Sequence, residues 1–559
     1  MAFEALIRPT HRVLRGLAVA LSVVVVSVAS GRVLTAQGSP RVPLGDPAYA
    51  QIDQVVGSGL VRVAIRGQRP WTRAEVARII AEAQSQLTGI DVSRSTRRVL
   101  DRLASRFAPE LRNLAAPAGE HPVRSGRRLL SRDALLELVS LDSPPRDIPS
   151  APVGTAEADI NPLLGERAAR RYGQGVTLAA DIGAVLRIGN RGLLELRPRL
   201  ASGGNVGSRF SEITLQQASI GLPVGNLMID VGRQSLVWGQ GMEAGLLLSA
   251  SGRPLDMIRF ETMRPWRAPW VLRWLGLLRG SAFLADLGPR QNFPHAKIAA
   301  YKVSSQMTSY FELSAAVLSE QGGRGSPPVK PIYRLSDLVP VLHHWIHTPN
   351  NDEVSNKLAG FDARARIPAL HGLQLYGEVI FDDLDDRRWT SSFTQDAGQV
   401  VGASLAQLGP QGALSAAGEW HHTGLRYYQH TTFNSGVTFN RTLLGDPLGP
   451  QADAGYVRLR FDAGGASSWR LDVGLERRGG DEWQTFATPP KNADFHFVLL
   501  RHHPAEWRHR VSLQWTRATS TRQQLTLQGG VERVRDAAFV PGARRTNALA
   551  AVEWTWLSW

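Results

Sequence analysis

The sequence predicts a mainly β protein: a transmembrane antiparallel β-barrel of about 18 strands, preceded by a small periplasmic α-helical module. Two observations carry this. Short segments are apolar at every second residue and charged in between, and the connections between them are tight and long by turns. In Ala359, Phe361, Ala363, Ala365 and Ile367 the apolar set alternates with Gly360, Asp362, Arg364 and Arg366. Val457, Leu459, Phe461 and Ala463 alternate with Tyr456, Arg458, Arg460 and Asp462, and Trp469, Leu471, Val473 and Leu475 with Arg470, Asp472, Gly474 and Glu476. Successive side chains of a strand point to opposite faces, so each segment has one oily wall and one charged wall. In a soluble sandwich the oily wall packs inside; in an outer-membrane barrel it meets lipid and the charges line the lumen.

Connection lengths decide between the two. Candidate strands lie near 154–164, 176–189, 193–201, 210–221, 225–234, 256–264, 277–286, 296–304 and 309–318. They continue near 357–367, 372–382, 398–407, 412–422, 455–463, 468–477, 509–517, 523–533 and 546–559. Tight turns fall at Asn190-Arg191-Gly192, Leu222-Pro223-Val224, Pro368 to His371 and Gly409-Pro410-Gln411. Long connections run over 235–255, 319–356, 423–454 and 478–508. Short periplasmic turns, long extracellular loops and an even strand count are the pattern of a barrel with both ends inside. A strand-like piece from Phe495 to Leu500 is assigned to a loop to keep that parity. The final residues Leu557 and Trp559 resemble the apolar, aromatic ending that barrel-assembly machinery prefers, although Thr555 and Glu553 interrupt the alternation.

The first residues set the compartment. Arg8, His11, Arg12 and Arg15 precede an apolar run from Leu17 to Val28, then Ala29, Ser30 and Gly31 and later Leu34-Thr35-Ala36. This predicts a secretory signal peptide over 1–36, cleaved after Ser30 or Ala36, because the apolar run is short for a membrane anchor. Residues 41–150 show helical spacing instead. Thr72 and Glu75 form a capping box, Trp71 is placed to staple onto Val76, and the helix runs to about Leu87 with Gly89 as its stop. A preceding helix carries Tyr49, Ile52 and Val56, and a following one Val99, Leu100, Leu103 and Phe107. The Pro- and Ser-rich stretch Asp142 to Gly154 reads as a linker to a barrel spanning 154–559.

Composition excludes several functions. There is no cysteine, hence no thiolate catalysis and no Cys-ligated zinc. No serine stands in a G-x-S-x-G motif, so the chain reads as a non-enzyme without a cofactor. His343-His344-Trp345-Ile346-His347 has an H-x3-H spacing without the glutamate of a metalloprotease helix. We expect no metal there, but a Trp345-bearing loop surface for stacking. The formal charge of +15 is almost all arginine, with only five lysines. Behind a signal peptide this points to an acidic polymer or to Arg–carboxylate pairs in a lumen, and not to nucleic acid.

The densest constellation is Gly232 to Gly241, where Arg233 supplies a fork, Gln234 an amide and Trp238 a stacking plane, a mixture suited to sugars. Its alternative is an architectural rim turn with Arg233 salt-bridged inside the barrel. The loop from His421 to Ala454 adds Tyr427, Tyr428, Phe433, Asn434 and Arg441. It reads as an exposed glycan-binding surface, or alternatively as a self-packed lid.

These stretches resemble the Wzi-type capsule-assembly family of outer-membrane barrels. The resemblance rests on Gly232-Arg233-Gln234 with Trp238-Gly239-x-Gly241, Leu247-Leu248-Ser249 with Arg253-Pro254, and Leu358-Ala359-Gly360-Phe361-Asp362. Tyr376-Gly377-Glu378, Gly445-x-Pro447-Leu448-Gly449-Pro450, Gly59-Leu60 and Arg69-Pro70-Trp71-x-Arg73 extend it. It implies an 18-stranded barrel with a lumen-obstructing helical module, and a surface lectin that holds capsular polysaccharide. The partners implied are capsular or other surface polysaccharide, outer-membrane lipids and the barrel-assembly machinery, with the protein a monomer. A channel for anionic or saccharide solutes is the competing function.

Overall fold

The computed structural model describes residues 38–558 except 91, 116–128, 144–145, 151–153, 165–169, 190, 206–208, 243–244, 269, 330–354, 383–391, 431, 441 and 486–496. The expected signal peptide, the His343–His347 cluster with Trp345, and Arg441 therefore lie outside the described residues.

Eighteen long antiparallel strands close into a barrel, with the two-residue piece Trp266–Arg267 extending one hairpin. Closure is made by Leu129–Leu141, which pairs with Arg544–Ser558 on one side and Gly175–Ile188 on the other. Here the structure corrects the sequence reading. The stretch expected near 154–164 forms a separate two-stranded hairpin, Arg146–Ser150 with Gly154–Ile160, and the first barrel strand lies inside the segment read as helical module. The reason is physical. The inward face of Leu129–Leu141 mixes Asp133 and Glu137 with Val139 and Leu141, so the two-faced pattern is blurred in a leucine-rich run. Each later expected strand matches an observed one to within a few residues.

The apolar set faces outward, as the alternation requires. Leu178, Ile213, Phe361, Val401, Val457 and Trp469 are exposed, whereas Asp362, Arg364, Arg366 and Arg458 are buried inside. An exposed apolar belt around a closed sheet is stable against lipid and not against water. Among the described residues no helix is long and apolar enough to cross a membrane.

The helical module occupies the turn end of the lumen. Its helices are α1 (Ala48–Gly57), α2 (Arg73–Gln86), α3 (Arg94–Arg106) and α4 (Ala108–Ala115). The Thr72 side chain accepts the Glu75 amide at 3.2 Å, and Ser93 accepts that of Thr96 at 3.2 Å, so α2 and α3 are both capped. Glu75 turns away from the cap to pair with Arg78 at 2.8 Å. Trp71 is fully buried with Tyr49, Ile52, Val76, Leu100 and Phe107 in one apolar core, its ring 5.4 Å from that of Tyr49. Lumenal side chains hold the module through its backbone. Arg366 donates to the Val61 and Arg62 carbonyls at 3.0 Å each, and Glu312 accepts the Arg66 and Gly67 amides at 2.8 and 2.9 Å.

Candidate ligand-binding site at the loop end

The connection after strand Leu227–Gln234 folds into the barrel instead of outward. Val237–Trp238 pairs with Gln68–Arg69 of the module, and the Gly239 amide donates to the Gly67 carbonyl at 3.1 Å. Strand Leu373–Asp382 supplies the acceptor that fixes this bend. Glu378 takes the amides of Gln240, Gly241 (2.8 Å) and Leu246 (3.2 Å) on one carboxylate. Gly239 has φ +140°, and a Cβ there would sit 2.3 Å from Glu378, so only glycine fits. Gln240 reaches Asp362 at 2.8 Å, and Arg364 grips the Gln240 side chain at 2.7 Å and its carbonyl at 2.8 Å. Two inserted segments thus form a crossbar through the lumen.

A lid, residues 424–451, closes over the crossbar. The rings of Tyr427 and Tyr428 lie 4.0 Å apart, both hydroxyls donate to the Leu246 carbonyl, and the Tyr428 hydroxyl accepts the Asp446 amide at 2.7 Å. Burial pushes both phenols well above their ordinary range. Below them His421 is fully buried, with Nδ1 2.6 Å from Asp446 and Nε2 2.9 Å from Glu419. The Tyr376 hydroxyl donates to Glu419 at 2.7 Å. The lid is thereby latched to the barrel wall through a histidine between two carboxylates.

Elsewhere the charged wall pairs with itself. Arg199 is 2.7 Å from Asp181 and also bridges to Glu137, with all three side chains buried. Arg279 and Arg259 converge on Glu261 at 2.5 and 2.8 Å. The arginine excess therefore largely braces the lumen. On one side the filling is incomplete, and a cavity of about 600 Å³ lies between the module and the wall from Ala452–Gly464 around to Leu129–Leu141.

The placement of the expected site residues follows. Trp238 is buried against Phe283, ring centroids 5.4 Å apart, and Gln234 is buried beside it. Arg233 faces outward from the loop end of its strand and pairs with Asp256 at 2.6 Å, so the expected salt bridge exists, but on the outer face. Tyr427, Tyr428 and Phe433 are buried and Asn434 is half-buried. The exposed aromatic surface expected for this loop is thus corrected to a self-packed lid. A loop over a closed lumen gains more from covering an apolar layer than from exposing rings. The structure gathers Trp238, Tyr427 and Tyr428 into one core and leaves Arg233 outside it. Sequence reasoning missed the organising acids Glu312, Glu378 and Glu419. Glu378 stood only as part of a resembling motif, and nothing local to any of the three gives a sign of its partners. Exposed polar groups at the loop end come from a neighbouring connection. Arg290 and Asn292 are exposed, and the Asn292 amides reach Ser435 Oγ at 2.7 Å and the Thr432 carbonyl at 2.9 Å.

Comparison with known proteins gives a consistent result. The solved structure of Wzi from Escherichia coli, described as an outer-membrane, carbohydrate-binding β-barrel involved in group 1 capsule assembly, superposes with a TM-score of 0.62. It is 17% identical, with 92% of this chain and 99% of that chain covered, a likeness of fold. OccK5 of Pseudomonas aeruginosa covers 78% of this chain and 99% of its own at 9% identity and a TM-score of 0.39. An uncharacterized 55.8 kDa protein in the cps region of Klebsiella pneumoniae is 26% identical over 163 residues. That match covers 28% of this chain and spans 31% of the relative's length. The model of the family described as capsule assembly protein Wzi matches residues 145–549, most of the chain. The chain therefore belongs to the Wzi capsule assembly family of outer-membrane β-barrels.

Proposed function

We propose that this protein is a lectin-like, non-enzymatic anchor that holds exported capsular polysaccharide at the cell surface. Membership of the capsule assembly family over residues 145–549 is the observation that carries this reading. In it the loop end faces outward from the cell and the helical module lies in the periplasm, in keeping with the short turns on the module side. Binding is multivalent: a repeating polymer engages many copies of a weak site, and avidity supplies the retention. The exposed Arg290 and Asn292 at the loop end, with the half-buried Asn434 beside them, are the groups we assign to the polymer. The buried rings of the lid hold that surface rigid.

The test is capsule retention on cells. The triple variant Arg290→Ala, Asn292→Ala, Asn434→Ala should shed polysaccharide into the medium while the folded barrel stays at normal abundance. Unchanged retention would remove this surface from the reading. The competing channel function requires a continuous path, whereas the crossbar and lid cross the lumen. Planar-bilayer recordings of the purified protein should accordingly show almost no steady current, and discrete open steps would favour a channel.

A further inference from the structure

The cavity beside the module has an organised wall. Across five neighbouring strands the paired positions Ser415, Arg460, Arg470, Gln514 and Gln528 stand in one register, and all five line the cavity. The rung above it pairs Arg458 with Asp472. Asp472 is shared, 2.5 Å from Arg458 and 2.7 Å from Arg470. Three arginines thus cluster around Asp472, and Asp53, the other acid that acts on Arg460, is already paired with Arg66. Arg460, half-buried, makes no hydrogen bond or ion pair among the described residues. The wider lining repeats the imbalance, with twelve arginines against seven acids and no lysine. Much of the remaining wall is neutral and polar, from serine, threonine and glutamine.

A guanidinium without an ion pair beside an open cavity wants a carboxylate, and a planar fork takes one bidentately. The flanking hydroxyl and amides give both donors and acceptors, which a hydroxyl-rich molecule needs and a simple inorganic anion does not. The volume of about 600 Å³ is that of a small-ligand pocket. Ala413, Ser467 and Ser468 place its lower end among the tight turns, away from the lid. We propose that this rung is a second binding site, for a carboxylated saccharide of the uronic acid class, approached from the turn end. The Arg460 and Arg470 guanidinium groups receive the carboxylate, and Ser415 and Gln514 receive the hydroxyls. The site stands apart from the loop-end surface and does not depend on it.

Calorimetric titration of the full-length protein in detergent tests this, with digalacturonate as probe and the neutral galactose disaccharide and inorganic sulfate as comparators. The acidic disaccharide should bind at least tenfold more tightly than either comparator, and more weakly as salt rises. Arg460→Gln should weaken it about tenfold, Arg460→Lys should recover part of the loss, and Gln514→Ala should weaken it without altering the salt dependence. The triple loop-end variant should leave this affinity unchanged, which separates failure here from failure of the surface-anchor reading. No binding of digalacturonate, equal binding of the neutral disaccharide, or an unaffected Arg460→Gln protein would overturn the proposal. Equal binding of sulfate would overturn the saccharide assignment. Unfolding midpoints measured for each variant identify any that misfold, and Gln514→Ala then carries the test.

Discussion

At the residue scale, buried carboxylates do most of the organising. Glu378 accepts three backbone amides of an inserted loop, a geometry that amide side chains copy poorly. Glu378→Gln keeps the shape but brings its own N–H groups against those donors. We expect a loss of about 1.5–3 kcal/mol, read as a lowered denaturant midpoint in detergent, with earlier proteolytic nicking in 235–254. Arg199→Met leaves two buried acids, Glu137 and Asp181, to share one remaining cation, Arg170, which lies 2.7 Å from Asp181 and 3.6 Å from Glu137. Breaking one side of a buried ionic cluster typically costs about 3–5 kcal/mol, and the same denaturation experiment measures it. The lid phenols give a pH test. Because burial raises Tyr427 and Tyr428 in the folded state, their contribution is fully present below the unfolded phenol value of about 10 and is lost as pH rises beyond it. Alkaline titration followed by tyrosinate absorbance should show two phenols that ionise only when the lid opens. Ionisation of Tyr427 and Tyr428 together with the exposed tyrosines would contradict the buried lid.

At the element scale, the helical module tests whether the plug folds on local signals. Trp71→Ala removes the largest side chain of its core and should cost about 3–5 kcal/mol, seen as loss of helical circular dichroism before the barrel melts. Removing the whole stretch 423–454 is a poor test of ligand binding. It takes away Asp446 and the two tyrosines that cover the lumen, so point variants on the outer surface are the sharper tool. This also shows where the sequence was legible. Period-two alternation reported strands such as Ser355–Ile367, where inward Asp362, Arg364 and Arg366 interleave with outward Phe361, Ala363 and Ala365, because lipid and lumen impose opposite chemistries on alternate residues. It failed at Leu129–Leu141, whose inward face packs partly against the apolar patch of Leu163, Leu164 and Tyr172. It also failed for the loops. Trp238, Tyr427 and Tyr428 have the composition of a binding surface, and only the inward path of the backbone makes them a core. That path depends on contacts between residues far apart in the chain, such as Gly239 with Gly67, which no local pattern encodes.

At the scale of the whole molecule, lid, crossbar and module are one connected body inside the barrel. The lid grips Leu246, the segment around Leu246 hangs from Glu378, and Gly239 bonds to Gly67 of the module. Gly239→Ala should drive the crossbar off Glu378 and produce open steps in a planar bilayer where the parent protein is silent. Continued silence would mean that the lid or module alone closes the lumen. The latch of His421 between Glu419 and Asp446 has a mechanical side as well. In the proposed anchoring role a polymer held at the surface would be dragged by flow, and the drag would reach the lid as tension. A flapping loop would yield to it one bond at a time, like a zip. The lid, latched at Asp446 to His421 and Glu419 of one strand and through Glu419 to Tyr376 of another, would instead share such a pull between two strands of the wall.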